Sequence, residues 1–321
     1  MESLTTSLWA GSTVSRNGSR APETVPKGDT MPSSHPLCGR KKRRLAVLSV
    51  LLLILLGFVI WVIHSNTVPT LTEVSVPAEG LPSGFDGFRI VQISDLHDAE
   101  FGKDHAKTLD LIRKAEPDVI LLTGDMIDKH EARTNVALTV SFAEQAVAIA
   151  PCYYVTGNHE GAIPTETYAE LEEALLSLGV TVLHGEAVTL ERGGDSITLA
   201  GIDSPAFGHG GTASPDLSEL CGSGYTILLA HHPEFIARYA EAGADLVFSG
   251  HVHGGQFRLP FVGGLYGPGQ GLFPDYDGGL YSVPAEEGEV LLYVSRGLGN
   301  SRFPIRFANR PEVILAVLEA Q

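Results

Sequence analysis

Residues 88–125 read FRIVQISDLHDAEFGKDHAKTLDLIRKAEPDVILLTGD, and the alternation within this stretch decides the fold class. Phe88–Ser94 is an apolar run of strand length, Asp104 stands where it can cap a helix over 105–116, and Val119–Thr123 is a second apolar run. The alternation continues outward, with a helix expected over 134–149, a strand over 153–156 and a helix over 165–178. Strand-like runs follow at 180–183, 187–191 and 196–201, then a strand at 225–230, a helix at 233–242 and strands at 245–249, 289–295 and 312–318. Strands that alternate with helices imply an α/β fold with a largely parallel sheet. The strand-rich second half implies a second, mixed sheet. No internal repeat is visible.

Five of these strands end in side chains able to bind metal. They run into Ser94-Asp95-Leu96-His97, Gly124-Asp125-Met126-Ile127-Asp128, Gly157-Asn158-His159-Glu160, His231-His232 and Gly250-His251-Val252-His253-Gly254-Gly255-Gln256. Open α/β sheets place their sites just beyond strand ends of this kind. His, Asp and Asn supply the nitrogen and oxygen ligands that suit Mn, Fe or Zn. One carboxylate can bridge two ions about 3.5–4 Å apart, the spacing of two-metal hydrolases. The glycines flanking Asp125, Asn158 and His251 let the backbone turn sharply there. A lone D-x-H or G-D-x-x-D is weak, whereas G-N-H-E and G-H-x-H-G-G are more specific. Five such ends in one chain point to a shared centre.

Over about residues 88–318 the sequence resembles the calcineurin-like metallophosphoesterases. VQISDLH (91–97), LLTGDMID (121–128), YYVTGNHE (153–160), LLAHHPE (228–234) and FSGHVHGGQFRLP (248–260) are together similar to the bacterial membrane-associated branch of that family. GGLY, YVSRGLGNS and RFANRPE resemble it too. That branch includes phosphodiesterases similar to UDP-2,3-diacylglucosamine hydrolases. The resemblance implies a four-layer sandwich of two mixed β-sheets flanked by helices. It implies that Asp95, His97 and His253 hold a first metal, that Asp125 bridges, and that Asn158, His231 and His251 hold a second. It makes His159 the non-ligand histidine that stabilises the transition state or protonates the leaving oxygen, and Asp128 the carboxylate that orients it. No expected ligand is missing. The implied activity is hydrolysis of a phosphate ester or pyrophosphate, with two divalent cations (Mn, Fe or Zn) holding the phosphoryl oxygens. A phospholipid or lipid-linked sugar is the expected substrate class. A nucleotide or protein phosphatase is the alternative among enzymes, and a metal-binding envelope protein without significant turnover the alternative outside them.

The other polar residues read more plainly. His232 should point away from its ligand neighbour along an extended chain, and His105, His130, His184 and His209 read as solvated. Arg296, after a strand, reads as a salt bridge within an acidic domain, with a contact near the metal centre as the second reading. Residues 254–284 are rich in Gly, Pro and aromatics and read as a long loop beginning at the metal site. Such a loop could wall a cavity for a lipid-like substrate.

The N-terminal part has a different character. Residues 1–44 read as a disordered segment ending in the basic run Arg40–Arg44, with Met31 competing with Met1 as the start. Residues 45–63, LAVLSVLLLILLGFVIWVI, carry no charge. As a helix they span roughly 28 Å, close to a bilayer core. The basic run before them predicts an N-inside anchor that sends the rest of the chain across the membrane. A cleaved signal peptide is the rival, but the apolar stretch is long and no A-x-A-like site follows. Arg43-Arg44 fits a twin-arginine signal poorly. A linker is expected over 64–84 and the catalytic domain over 85–321. Residues 1–63 hold 8 Lys/Arg and 3 Asp/Glu of the chain's 22 and 38, which leaves 14 against 35, a net of −21, for the remainder. So acidic a domain is a poor non-specific binder of nucleic acid, and no nucleic-acid partner is expected; phosphate esters could bind where bound cations reverse the local field. Three cysteines, Cys38, Cys152 and Cys221, exclude a disulfide framework or a Cys-rich zinc site.

Overall fold

The computed structural model describes residues 37–130, 134–205, 216–222, 224–285, 288–301 and 303–321. The disorder expected over residues 1–36, the competing start at Met31 and the reading of His209 therefore lie outside the described residues. The chain divides into two compact units after Leu53. In the first, only the helical residues 37–53 are described.

Helix α1 runs over Leu37–Thr67 and is the one helix among the described residues long and apolar enough to cross a membrane. It begins eight residues before the expected boundary at 45, so Arg40–Arg44 form helix rather than a disordered segment. Lys and Arg are good helix formers, and extending an existing helix costs far less than nucleating one. Within the second unit, carbonyls at and just beyond the C-terminal end of α1 are met by cations. Lys107 Nζ donates to Thr67 O at 3.0 Å and Arg310 Nη2 to Val68 O at 2.9 Å.

The following elements are β1 (Thr70–Ala78), β2 (Arg89–Ile93), α2 (Ala106–Ala115), β3 (Val119–Thr123), α3 (Val136–Val147), β4 (Cys152–Val155) and α4 (Thr165–Ser177). Then come β5 (Thr181–Val182), β6 (Glu186–Arg192), β7 (Asp195–Ile202), α5 (Leu217–Leu220), β8 (Thr226–Ala230), α6 (Ile236–Glu241) and β9 (Leu246–Ser249). Two small hairpins, β10 (Arg258–Leu259) with β11 (Gly263–Gly264) and β12 (Tyr266–Gly267) with β13 (Gly271–Leu272), precede β14 (Gly279–Pro284), β15 (Glu289–Val294) and β16 (Glu312–Ala320).

Two six-stranded mixed sheets form the body, in the orders β1-β16-β2-β3-β4-β5 and β14-β15-β9-β8-β7-β6. Strands β2 to β5 run parallel, as do β15, β9, β8 and β7. Alternation along each strand sorts side chains into layers. Val91 and Ile93 face α2, α3 and α4 with Leu109, Ile112, Phe142 and Leu171. Ile90 and Leu121 face the other sheet through Leu229 and Phe248. Ala230, Val247 and Leu292 on the far side of the second sheet pack with Ile236 and Tyr239 of α6. The result is the expected helix–sheet–sheet–helix sandwich.

Two expectations are corrected. The linker expected over 64–84 is part of the fold. β1 pairs along its whole length with β16, and Val76, Ala78, Leu81 and Phe85 are buried between the sheets. The loop expected over 254–284 contains the two hairpins and ends in β14. Both strands missed in the sequence, β1 with Pro77 and β14 with Pro284, lie at sheet edges, where a missing N–H is tolerated.

Candidate metal centre

The parallel register brings the strand ends level. Ile93 pairs with Leu122 and Thr123 with Val155, so the residues after β2, β3 and β4 emerge side by side. Backbone bonds then knit the turns together, Asp95 N to Gly124 O and His97 N to Asp125 O, each at 3.0 Å. Gln92 ties the first sheet to the second, donating through Nε2 to Thr123 Oγ1 at 2.8 Å and to Ser249 O at 2.9 Å. The turns approach so closely that a Cβ on Gly157 would strike the Asp125 carboxylate, and one on Gly250 would strike Ser94 and Asp95.

The backbone here is held in conformations that side chains rarely adopt. Of the thirteen non-glycine residues with positive φ among the described residues, seven belong to these turns: Asp95, His97, Asp98, Asp125, His251, His253 and Gln256. Such conformations cost of order 1–3 kcal/mol each and cluster at functional sites.

Asp125 stands at the centre. Its Oδ1 accepts from His159 N at 2.7 Å. Its Oδ2 lies 3.4 Å from His231 Nε2, 3.7 Å from His97 Nε2 and 4.0 Å from His159 Nε2. On one side His97 Nε2 is 3.1 Å from His253 Nε2, which is 3.3 Å from Asp95 Oδ1. Two groups able to hold a cation thus share Asp125: Asp95, His97 and His253 with it on one side, His231 and His251 with it on the other. Ligands about 2.0–2.2 Å from one tetrahedral ion lie roughly 3.3–3.6 Å apart, so this spacing suits divalent cations. Two further atoms agree. Asn158 Oδ1 and His231 Nε2 are buried without a hydrogen-bond partner, and such atoms call for a ligand.

Electrostatics follow from burial. Burial pushes the Asp95 carboxyl up to about 6, against the pull of His231. Burial also drives His97, His251 and His253 well below the usual imidazole range, leaving them neutral with lone pairs to offer. Burial opposes charge on Asp125 and His231 as well, but each holds the other charged across 3.4 Å. A proton on His231 thus answers a negative charge that divalent cations would answer better. His231 Nδ1 lies 2.7 Å from Thr123 O, which aims Nε2 at Asp125.

His159 packs against the first ligand set, its Nδ1 3.1 Å from His97 Nδ1, but its Nε2 stays 4.0 Å from Asp125 Oδ2. Its Nδ1 accepts from Lys129 N at 3.1 Å. That N–H can only donate, so the proton of the neutral ring sits on Nε2. Nε2 faces Asp125 and Ser301 Oγ, the latter at 3.4 Å. Asp128 Oδ1 lies 3.7 Å from His159 Nδ1 and accepts from His130 N at 2.9 Å, so its action on the ring is one of charge. His159, Asn158, Asp125, His251 and His253 line one cavity of about 680 Å³ whose other wall includes Phe257, Leu265, Tyr266, Leu272 and Phe303.

Three buried residues, Glu160, Asp98 and Arg306, and the half-buried Glu234 support this centre without having been given a role in the sequence. Glu160 accepts from Asp125 N at 3.0 Å, Met126 N at 2.8 Å and Gly157 N at 2.8 Å, and burial raises its carboxyl to about 7. Asp98 accepts from Asp128 N and Asn135 N. Arg306 donates to Arg296 O at 2.6 Å and brings Nη2 within 3.2 Å of His253 Nδ1. Glu234 Oε1 sits 3.9 Å from His251 Nε2. Glu160, Glu234 and Arg306 lie within the quoted motifs and Asp98 directly follows one, but no pattern marked what each would hold. Glu160→Ala would leave three buried N–H groups unpaired, each costing about 1–3 kcal/mol at most. It is expected to lower stability by at least about 2 kcal/mol and metal affinity about 10- to 100-fold. Thermal melts and metal titration check this; unchanged values in both would refute the strut.

Several readings of ordinary histidines are corrected. His232 does not point away: the chain leaves extended geometry at the 3₁₀ turn Pro233–Phe235, and its ring packs 4.2 Å from that of His251. Its Nε2 meets Ser204 Oγ at 2.9 Å. His105 is fully buried against Leu138 O, and His184 is clamped between Glu172 and Asp203. His130 is exposed as expected. Arg296 pairs with Glu312, in agreement with its salt-bridge reading.

Comparison with known proteins agrees with this architecture. The family model for calcineurin-like phosphoesterases matches residues 88–255. The chain is 34% identical over 257 residues to YkuE, an uncharacterized metallophosphoesterase of Bacillus subtilis, covering 78% of this chain and 85% of that protein. It is 32% identical over 269 residues to a transmembrane protein with metallophosphoesterase domain of Danio rerio, covering 78% of this chain and 57% of that protein. It is 28% identical over 313 residues to the UDP-2,3-diacylglucosamine pyrophosphatase LpxG of Chlamydia trachomatis, covering 79% and 92%.

Proposed function

We propose that this chain, which belongs to the calcineurin-like phosphoesterase family, uses its Asp125-bridged centre to hydrolyse a phosphate ester or pyrophosphate of a lipid-related envelope molecule. Membership makes it a metal-dependent phosphohydrolase with a dinuclear divalent site. The observation that carries the reading is Asp125 Oδ2 standing between two ligand sets at the edge of a cavity with an apolar wall. Asp95, His97 and His253 would hold one ion, Asn158, His231 and His251 the other, and Asp125 both. Bound there, Mn, Fe or Zn supplies Lewis acidity to phosphoryl oxygens and a lowered water pKa. Hydrolysis forms one P–O bond to water and breaks the P–O bond to the leaving oxygen. His159 Nε2–H donates to that oxygen as negative charge develops, and Asp128 favours a partial positive charge on the ring. Likeness to LpxG, a membrane-spanning α1 and the apolar wall support a lipid-related substrate.

The test is purified full-length chain loaded with each metal and offered a nucleoside-diphosphate lipid sugar, a phospholipid, a free nucleotide and a phosphopeptide. Fastest turnover on a lipid-linked ester with two ions per chain is expected. Fastest turnover on the nucleotide or phosphopeptide would overturn the substrate class, and a loaded chain inert on every ester would leave only a metal-binding role.

The chain is a single-pass membrane protein, and we place its catalytic domain outside the cytoplasm. Arg40–Arg44 precede the span, whereas residues 64–88 contain no Lys or Arg. Protease added to spheroplasts is expected to digest the domain while a cytoplasmic marker survives; protection until lysis would reverse the orientation.

A further inference from the structure

Nine large apolar side chains outside α1 are strongly exposed among the described residues; three of them, Tyr266, Leu272 and Phe303, line the metal cavity, and five more stand beside these three along the chain. They are Leu259, Phe261, Val262, Tyr266, Leu272 and Phe273 from the two hairpins, with Phe303 and Ile305; Leu176 alone lies elsewhere. Phe261 is fully exposed, and both it and Phe273 have positive φ, 65° and 55°. That conformation is costly for a bulky residue; Phe261 adopts it in the turn between β10 and β11, and Phe273 directly after β13. A contiguous apolar rim of this kind marks a binding surface.

Charge is distributed to match. The domain from residue 64 onward has a net of −21, from 14 Lys/Arg against 35 Asp/Glu, yet 254–274 and 296–311 contain no Asp or Glu at all. The rim is also continuous with the end of α1. Phe307 packs edge-on against Trp61 with ring centroids 5.5 Å apart, and against Phe58 at 6.4 Å. Asn66 donates to Arg306 O at 2.9 Å and accepts from Arg306 N at 2.7 Å. Phe307 in turn bridges to Phe257, whose ring is 5.9 Å from that of Phe303. Trp61 lies near the end of the apolar stretch, the depth at which aromatic side chains mark the membrane–water boundary.

We propose that this rim beds into the surface of the bilayer that α1 spans, so that the metal cavity opens at the lipid–water boundary. The partner is the lipid surface itself. The proposal rests on the membrane-spanning reading of α1 and is independent of which ester is cleaved. Interfacial segments of this kind bury their apolar face about 5–10 Å into the headgroup and acyl boundary. A substrate anchored in the same leaflet then reaches the cavity without leaving the membrane.

The test uses the full chain in phosphatidylcholine–phosphatidylglycerol vesicles, in a Cys38→Ser background with the buried Cys152 and Cys221 left in place. An environment-sensitive dye is attached in Phe261→Cys, Leu272→Cys, Leu55→Cys and Leu176→Cys, and quenching by doxyl-labelled lipid is read. Loss of emission at 261, 272 and 55, with none at 176, is the expected result. If 261 and 272 behave like 176 while 55 is quenched, α1 spans the membrane and the rim proposal is wrong. If 55 is also unquenched, the membrane reading itself fails. Dyes at 261 and 272 that are shielded from aqueous iodide yet unquenched by lipid would indicate a protein partner and overturn the proposal.

Discussion

Asp125→Asn is expected to reduce the bound metal to one ion or fewer per chain and to abolish turnover on every phosphate ester. The substitution keeps the side-chain volume, so the fold should survive and circular dichroism should be unchanged. What it removes is the charge both ligand sets share. Oδ1 already accepts from His159 N, and an amide that preserves this bond must turn its NH₂ toward His231 and His97. A donor then faces two imidazole nitrogens where an anionic ligand is needed. The loss in affinity should exceed the roughly 10- to 100-fold that removal of an outer partner costs. Elemental analysis with steady-state kinetics decides the matter: two tightly bound ions with ordinary turnover would show that Asp125 does not bridge.

His159→Ala should behave in the opposite way with respect to metal. Its Nδ1 is engaged by Lys129 N and its Nε2 approaches Asp125 Oδ2 no closer than 4.0 Å, so both ions should remain. Turnover should fall roughly 10²–10⁴-fold, the range for loss of a positioned proton donor. The deficit should shrink for esters with good leaving groups such as p-nitrophenolate, which need little help from Nε2–H. Collapse of metal binding in this variant would make His159 a ligand and remove it from the leaving-group side.

Most of the sandwich was legible because its central strands are buried on both faces. β3 (VILLT) and β8 (TILLA) are buried at every position and apolar but for one Thr each, and each stops at a Gly or His where the site begins. Edge strands carry no such signal. β1 reads TLTEVSVPA with only Val76 and Ala78 buried, and β14 reads GLYSVP with none. Their strand character comes from pairing with β16 and β15, partners distant or unremarkable in sequence, and burial pattern alone does not betray it.

Which side chains could meet at the centre was already written in the motifs. Short motifs at successive strand ends need only parallel in-register strands to converge, and all nine residues expected there lie in the turns that converge on Asp125. How they are held depends on contacts made only in the folded chain. Glu160 strutting two turns, Arg306 reaching His253 from 53 positions away, and Lys129 N setting the His159 tautomer are long-range or backbone interactions without a local pattern. The buried His105, the clamped His184 and His232, tilted against the His251 ring, were misread for the same reason, since solvation depends on neighbours that only folding supplies. The rim is the clearest case. Phe261, Leu272 and Phe303 are ordinary apolar letters in the sequence. Their exposure around the cavity, linked to Trp61 through Phe307 and Phe257, exists only once the hairpins are folded and Asn66 has pinned Arg306 to the end of α1.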